Sequence, residues 1–344
     1  MRLPRFSILL LPAGWLLFLG PAAAQQWVTE PVSPPGVQFH VFDSPAVGGP
    51  VSFHVYLPPE YAAEPERRFP VLYWLHGADG VLGGIAPMAQ RIGLALANGH
   101  LPPLIVVFPN GLPFGMWVDA ASGLQPVESM LVHDLVAHVD ASLRSIPTPA
   151  ARMLDGFSMG GYGAARLGLR YSRCFAGFSM NGAGPLQLDF LEPSPEFAPL
   201  PLRQQLLAQV YGNDPAIFAA QSPLMLTALH GPNLPSGYPI RLIIGTEDSM
   251  LRTNREFRDH LSALGIPHEF IELPGVGHNM VQIMNTMGPE FWRFYRETLA
   301  GADQVFADGF KAAALCDALR TRRQLSTTRP APRPRPGGVR PTRP

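Results

Sequence analysis

Two hydrophobic periods alternate along most of this chain. Residues 51–57 (VSFHVYL) alternate apolar and polar side chains, the period of a strand with one covered face. Short, nearly unbroken apolar runs follow at 70–75 (PVLYWL), 104–108 (LIVVF) and 152–156 (RMLDG). Others stand at 175–179 (FAGFS), 240–244 (IRLII) and 268–273 (HEFIEL). Runs of this kind suit strands buried on both faces. Between them, helical spacing predicts helices over 86–97, 160–171, 251–264 and 280–299. A further helix is expected from Pro126 through Val132, Leu135, Val136 and Val139. Pro126 fits its first position, and Glu128 sits in the first turn, where the helix dipole favours an acid. Strands alternating with helices predict an α/β fold with a mostly parallel central sheet and helices on both faces.

The rhythm breaks in four places. Residues 26–50 are rich in Pro, Gly and Val and read as an entry strand with loops. Residues 185–238 hold many prolines and one clear helix, 202–211, and read as a small insertion over the carboxyl edge of the sheet. Residues 1–24 read as a signal peptide. Arg2 and Arg5 precede an apolar run from Ile8 through Leu19, and small residues up to Ala24 mark a cleavage site. That run is too short to span a bilayer, so the expectation is a secreted or periplasmic protein with no stable membrane insertion. Residues 320–344 are rich in Arg and Pro and read as a disordered tail. One catalytic domain over 25–319 remains, large enough to bury a core without disulfide staples.

The net charge of zero conceals an asymmetry. With the eight arginines from Arg320 onward and the two in the leader set aside, 16 of the 26 basic residues face all 26 acidic ones. An acidic body argues against nucleic acid as a partner. Cys174 and Cys316 are the two cysteines, too few for a disulfide framework. Neither Cys-x-x-Cys nor His-Glu-x-x-His occurs, so a metal site has no local support in the sequence. No motif bears on oligomeric state.

The candidate chemistry starts at Gly156-Phe157-Ser158-Met159-Gly160. Gly-x-Ser-x-Gly gains weight from its setting, because a strand ends at Gly156 and a small-residue helix follows, as a nucleophile elbow requires. A serine hydroxyl is a poor nucleophile at neutral pH and needs a base within hydrogen-bonding reach. On α/β-hydrolase folds the partners follow in the order serine, acid, histidine. Asp248, with Glu247 as the rival, follows the run 240–244 as the acid. His278 lies in a Gly-rich loop after the run 268–273 as the base, ahead of His268 and of His133, which neighbours Asp134 on a helix. A tetrahedral intermediate needs two amide donors. Met159 N–H is one, and Ala78, with Gly77 as the alternative, is the other. His76 reads as a support for that loop. Trp117 and Gly77 are candidate substrate contacts, and Asn110, Phe114 and Met116 border the same region or simply pack.

At these residues the chain resembles the esterase D-like family of α/β hydrolases, which includes S-formylglutathione hydrolases, feruloyl and acetylxylan esterases and mycolyltransferases. The matching pieces are Tyr73-Trp74-Leu75-His76-Gly77, the Ser158 motif through Gly161, Gly245-x-x-Asp248, Pro274-Gly275-x-Gly277-His278 and Ser222-Pro223. The similarity spans about residues 35–300. The resemblance implies an α/β-hydrolase fold and a serine esterase working through an acyl-enzyme on a small-molecule or polysaccharide-linked ester, without metal or organic cofactor. An acyltransferase to a sugar or lipid alcohol, and a non-catalytic binding module of the same fold, are the alternatives.

Overall fold

The computed structural model describes residues 27–193 and 198–301. The expected signal peptide, the tail and Cys316 lie outside the described residues. In chain order the hairpin β1 (Val37–Ser44) and β2 (Gly49–Tyr56) leads through the single turn α1 (Glu60–Ala63) to β3 (Val71–Leu75). Then come α2 (Ile85–Ala97), β4 (Ile105–Pro109), α3 (Val127–Ser129), a π-helical stretch Met130–Leu135 and α4 (Val136–Ser142). β5 (Arg152–Phe157), α5 (Met159–Arg170) and β6 (Gly177–Asn181) form the centre. The chain continues through α6 (Leu200–Tyr211), α7 (Pro215–Gln221), α8 (Pro223–His230), β7 (Ile240–Gly245) and α9 (Leu251–Ala263). It closes with β8 (Glu269–Leu273), α10 (Met280–Met287) and α11 (Arg293–Leu299).

Eight strands form one sheet in the order β1-β2-β4-β3-β5-β6-β7-β8. The β1/β2 and β2/β4 pairs are antiparallel and every other pair is parallel. β3, β4 and β7 are buried along their whole length, which is why their sequences show no polar alternation. One apolar cluster fills the side of α5 and another the side of α2, α10 and α11. Parallel strands gather their carboxyl ends at one edge, so the loops after β3, β5, β6, β7 and β8 converge there. Among the described residues no helix is long and apolar enough to cross a membrane.

Several local expectations need correction. Pro126 stands just before the helix, with φ −83° and ψ 58°, instead of occupying its first position. Glu128 does stand in the first turn, but with side-chain partners the sequence did not show. It is 1 % exposed and clasped by Arg166, Arg170 and Tyr171. Burial works against its charge, but the two guanidiniums outweigh it and hold the carboxyl down at about 2. The helix expected over 280–299 breaks at Gly288-Pro289, where Gly288 takes φ 54°. Among its described residues the insertion holds three α-helices where one was expected. α7 and α8 each start with proline at the first turn, capped by the Asp214 and Ser222 side chains, so prolines that suggested loops are helix starts. The insertion packs its α8 against α5.

Two close approaches set the central edge. A Cβ on Gly160 would lie 1.9 Å from the Leu75 carbonyl oxygen, and one on Gly156 would lie 2.3 Å from the Gly160 backbone. The first turn of α5 therefore rests directly on the ends of β3 and β5. Beneath it lies a buried polar group: Asp155 accepts hydrogen bonds from Asn181 Nδ2 at 2.7 Å and from the Tyr295 hydroxyl at 2.9 Å. Asn181 Nδ2 also donates to the Gly156 carbonyl at 3.1 Å, tying β6 to the turn. Burial pushes the Asp155 carboxyl up to about 6, partly offset by the Arg241 charge and by these donors.

Gly160→Ala should cost at least about 2 kcal/mol in denaturant unfolding, because backbone must move to admit the methyl. Gly49→Ala, with nothing within 4 Å of the added Cβ, should stay within about 0.5 kcal/mol. Asp155 binds its proton more tightly folded than unfolded. Its contribution to stability therefore falls as pH rises from about 4 to about 6. Asp155→Asn lacks that slope, so its stability relative to the parent should rise by about 2 kcal/mol between pH 4 and pH 7. A constant difference across that range would contradict the assignment.

Candidate active site

Ser158 sits between β5 and α5 with φ 58° and ψ −120°, a conformation that L-residues seldom adopt. The surroundings hold it there. Its N–H donates to Asn181 O at 3.0 Å, and its carbonyl accepts from Tyr162 N at 3.1 Å and Gly184 N at 3.2 Å. Strain of this kind persists where neighbours over-determine the backbone. The outcome is a hydroxyl held at the carboxyl edge, at the start of a helix whose first amides favour negative charge.

The loops after β7 and β8 supply the other two groups. His278 Nε2 lies 2.9 Å from Ser158 Oγ, and His278 Nδ1 lies 2.8 Å from Asp248 Oδ2. An ionised carboxylate only accepts, so Nδ1 carries the proton and Nε2 is free to accept from the hydroxyl. Asp248 is fixed in turn. Its side chain is fully buried, and Oδ1 accepts Met250 N at 2.9 Å. Glu247, the rival acid, is exposed on the same turn. Gly182 lies against the pair, where a Cβ would come within 3.0 Å of Asp248 Oδ2 and 3.4 Å of His278 Nδ1. Phe157 packs its ring 4.6 Å from the imidazole. His268 bonds Ile266 O away from this cluster, and His133 packs on Tyr171. Asp134, next to it, instead holds Ser44 and Ala46 of the β1–β2 hairpin.

The loop after β3 faces Ser158. A Cβ on Gly77 would touch Ser158 Cβ at 3.3 Å, so this loop lies directly over the elbow. Asp79 N–H is committed to Pro113 O at 2.7 Å. Among the described residues no hydrogen bond engages the N–H of Ala78 or of Met159. Both amides remain available to a ligand oxygen beside the serine.

A cavity of about 390 Å³ opens at Ser158. Gly77, Ala78 and His278 border it, and Trp74, Met88, Phe157, Met280 and Met284 supply its apolar wall. Trp74 and Phe157 belong to the motif-bearing ends of β3 and β5, whereas Met88 on α2 and Met280 and Met284 on α10 carried no motif. Trp117, expected to contact substrate, does not line this cavity. It is fully buried, with its indole N–H on the His76 carbonyl at 3.2 Å and its carbonyl on Arg166. Met116 and Asn110 are buried as well, Asn110 holding Trp27 O and Leu112 N, so that loop is packing. Cys174 is buried and carries no free thiol.

Comparison with known proteins bears on the family and the fold. The family described as "Putative esterase" matches residues 44–276. Esterase Rv1288 of Mycobacterium tuberculosis (strain ATCC 25618 / H37Rv) is 30% identical over 269 residues. That match covers 71% of this chain and 56% of the relative, so the chain spans little more than half of the curated relatives it matches. Among solved structures, a ferulic acid esterase superposes with a TM-score of 0.61 at 19% identity, covering 76% of this chain and 98% of the other. FphF, a fluorophosphonate-binding serine hydrolase of Staphylococcus aureus, gives 0.59 at 19% identity, with the same shares covered. At such identity these structures establish the fold.

Proposed function

The chain belongs to this esterase family, and we propose on that premise that it hydrolyses carboxylic esters through an acyl intermediate on Ser158. The observation that carries the reading is the pair of contacts on one imidazole, 2.9 Å to the serine hydroxyl and 2.8 Å to a buried carboxylate. In this reading Ser158 Oγ attacks the ester carbonyl carbon while His278 Nε2 takes its proton. Asp248 fixes the tautomer and stabilises the imidazolium. The carbonyl oxygen becomes an oxyanion facing the amides of Met159 and Ala78. As the tetrahedral species collapses, His278 returns the proton to the departing alcohol oxygen. Water attacks the acyl carbon while His278 takes a proton from it, and the second tetrahedral species collapses as His278 returns that proton to Ser158 Oγ, breaking the acyl–Oγ bond and releasing the acid.

The cavity argues for the kind of ester. Among the described residues no Arg, Lys, Asp or Glu lines it, so a charged acyl group would lose its hydration without a partner. Methionines at 88, 280 and 284 give a wall that adapts to different apolar shapes. The reading is therefore an esterase for uncharged, apolar acyl groups, aliphatic or aryl. The name of the ferulic acid esterase neighbour is consistent with an aryl acyl group. The leader read at residues 1–24 puts this activity in an exported compartment.

Ser158→Ala should lower turnover of p-nitrophenyl butyrate by at least about 10³-fold while leaving the unfolding midpoint close to the parent. Near-parental turnover in that variant would end the assignment. In the parent protein, kcat/KM for p-nitrophenyl butyrate should exceed that for p-nitrophenyl succinate, which carries a carboxylate on its acyl group, by at least about tenfold. A preference for succinate would refute the apolar reading of the cavity and leave the serine chemistry standing.

A further inference from the structure

The loop over Ser158 is shaped by a buried histidine. His76 is 2 % exposed. Its Nε2 accepts the Gly111 N–H at 3.1 Å, so that nitrogen bears the lone pair and, in a neutral imidazole, Nδ1 bears the proton. Nδ1 stands 2.8 Å from Gly77 O and donates to it. Gly80 N–H donates to the same oxygen at 3.1 Å. The Gly77–Ala78 peptide is trans, since the one cis bond among the described residues is Gly184-Pro185. In a planar trans peptide the carbonyl and the following N–H point in opposite directions. Two donors on Gly77 O thus fix where Ala78 N–H points, and Ala78 borders the cavity together with Ser158.

We propose that His76 is a positioning residue: as a neutral Nδ1–H imidazole it aims the Ala78 amide at the oxyanion. The inference deepens the ester hydrolase reading and rests on it. Protonation would turn Nε2–H against Gly111 N–H. Burial disfavours that form, pulling the imidazole down to about 4 against the opposing bond to Gly77. The ring is held from behind. It packs on Trp117 with centroids 4.9 Å apart, Trp117 Nε1–H donates to His76 O, and Arg166 donates to Trp117 O at 2.7 Å. Arg166 is itself anchored on buried Glu128. The buried ion pair, the indole and the imidazole form one continuous support from α5 to the oxyanion loop.

Two substitutions separate the two bonds of the ring. In His76→Asn the amide nitrogen takes the place of Nδ1 and keeps the donor to Gly77 O, losing the acceptor for Gly111. In His76→Gln the amide oxygen reaches the place of Nε2 and keeps that acceptor, losing the donor to Gly77 O. Both should lower the unfolding midpoint. With p-nitrophenyl butyrate, kcat should fall at least about tenfold further in His76→Gln than in His76→Asn, with KM shifting much less. Affinity for a trifluoromethyl ketone, which forms a tetrahedral hemiketal on the serine, should fall in parallel with kcat. Equal kcat in the two variants, or a loss confined to KM, would overturn the proposal. Nitrogen NMR of the parent protein tests it without any substitution. Nδ1 should be protonated and Nε2 unprotonated from pH 5 to pH 9, and the reverse tautomer or an imidazolium would overturn it. Turnover that survives Ser158→Ala would instead bring down the ester hydrolase reading beneath it.

Discussion

The seating of α5 on the sheet governs the rest of the molecule. Gly160 lets the first helical turn rest against the Leu75 carbonyl, at a distance no Cβ could tolerate. That contact presses Ser158 into a left-handed conformation between the loops after β3, β6, β7 and β8. Each of those loops then meets the serine by a different atom: Gly77 from β3, Asn181 O and Gly184 N from β6, and His278 from the loop after β8, itself braced by Asp248 from β7. The site is thus a consequence of packing backbone on backbone. Its polar side chains gain fixed directions because the scaffold leaves little freedom.

Buried charge plays a supporting part on both sides of the sheet. Glu128 and Arg166 lock α5 to α3 and, through Trp117, to the loop after β3. Asp155, with Asn181, Tyr295 and Arg241, braces the turn from below. Such groups are weak sources of stability, since desolvation opposes them. Their value lies in direction, because hydrogen bonds with fixed partners admit few alternative geometries. Arg241 shows the same logic, its guanidinium lying within 5 Å of the ring centroids of Phe291, Phe294 and Tyr295.

Much of this was legible in the sequence, for a physical reason. Double-sided burial strips strands of polar positions, so β3, β4 and β7 announced themselves, and chain order alone put Ser158, Asp248 and His278 at one edge. The resemblance to esterase D-like hydrolases accords with the family match and with the fold of the solved neighbours. What stayed hidden depends on contacts between distant residues. Trp117 looked like a substrate contact because aromatic residues in a loop after a strand serve either purpose, and only three-dimensional packing on His76 and Gly163 decides. Glu128 looked like a dipole partner because its true partners lie 38 and 42 residues away. The cavity wall of Met88, Met280 and Met284 was indistinguishable from core, since a pocket lined by apolar residues has the same periodicity as a buried face. α7 and α8 were too short for periodicity to register, and their prolines read as breaks.

The central claim is that one serine, activated by one imidazole, forms a covalent acyl-enzyme. Labelling of the intact protein with a fluorophosphonate, followed by peptide mapping, tests it most directly. The account predicts a single stoichiometric adduct on Ser158, formed in parallel with loss of esterase activity and abolished by prior unfolding. Full activity in a protein whose Ser158 is completely labelled, or labelling confined to another residue, would contradict it.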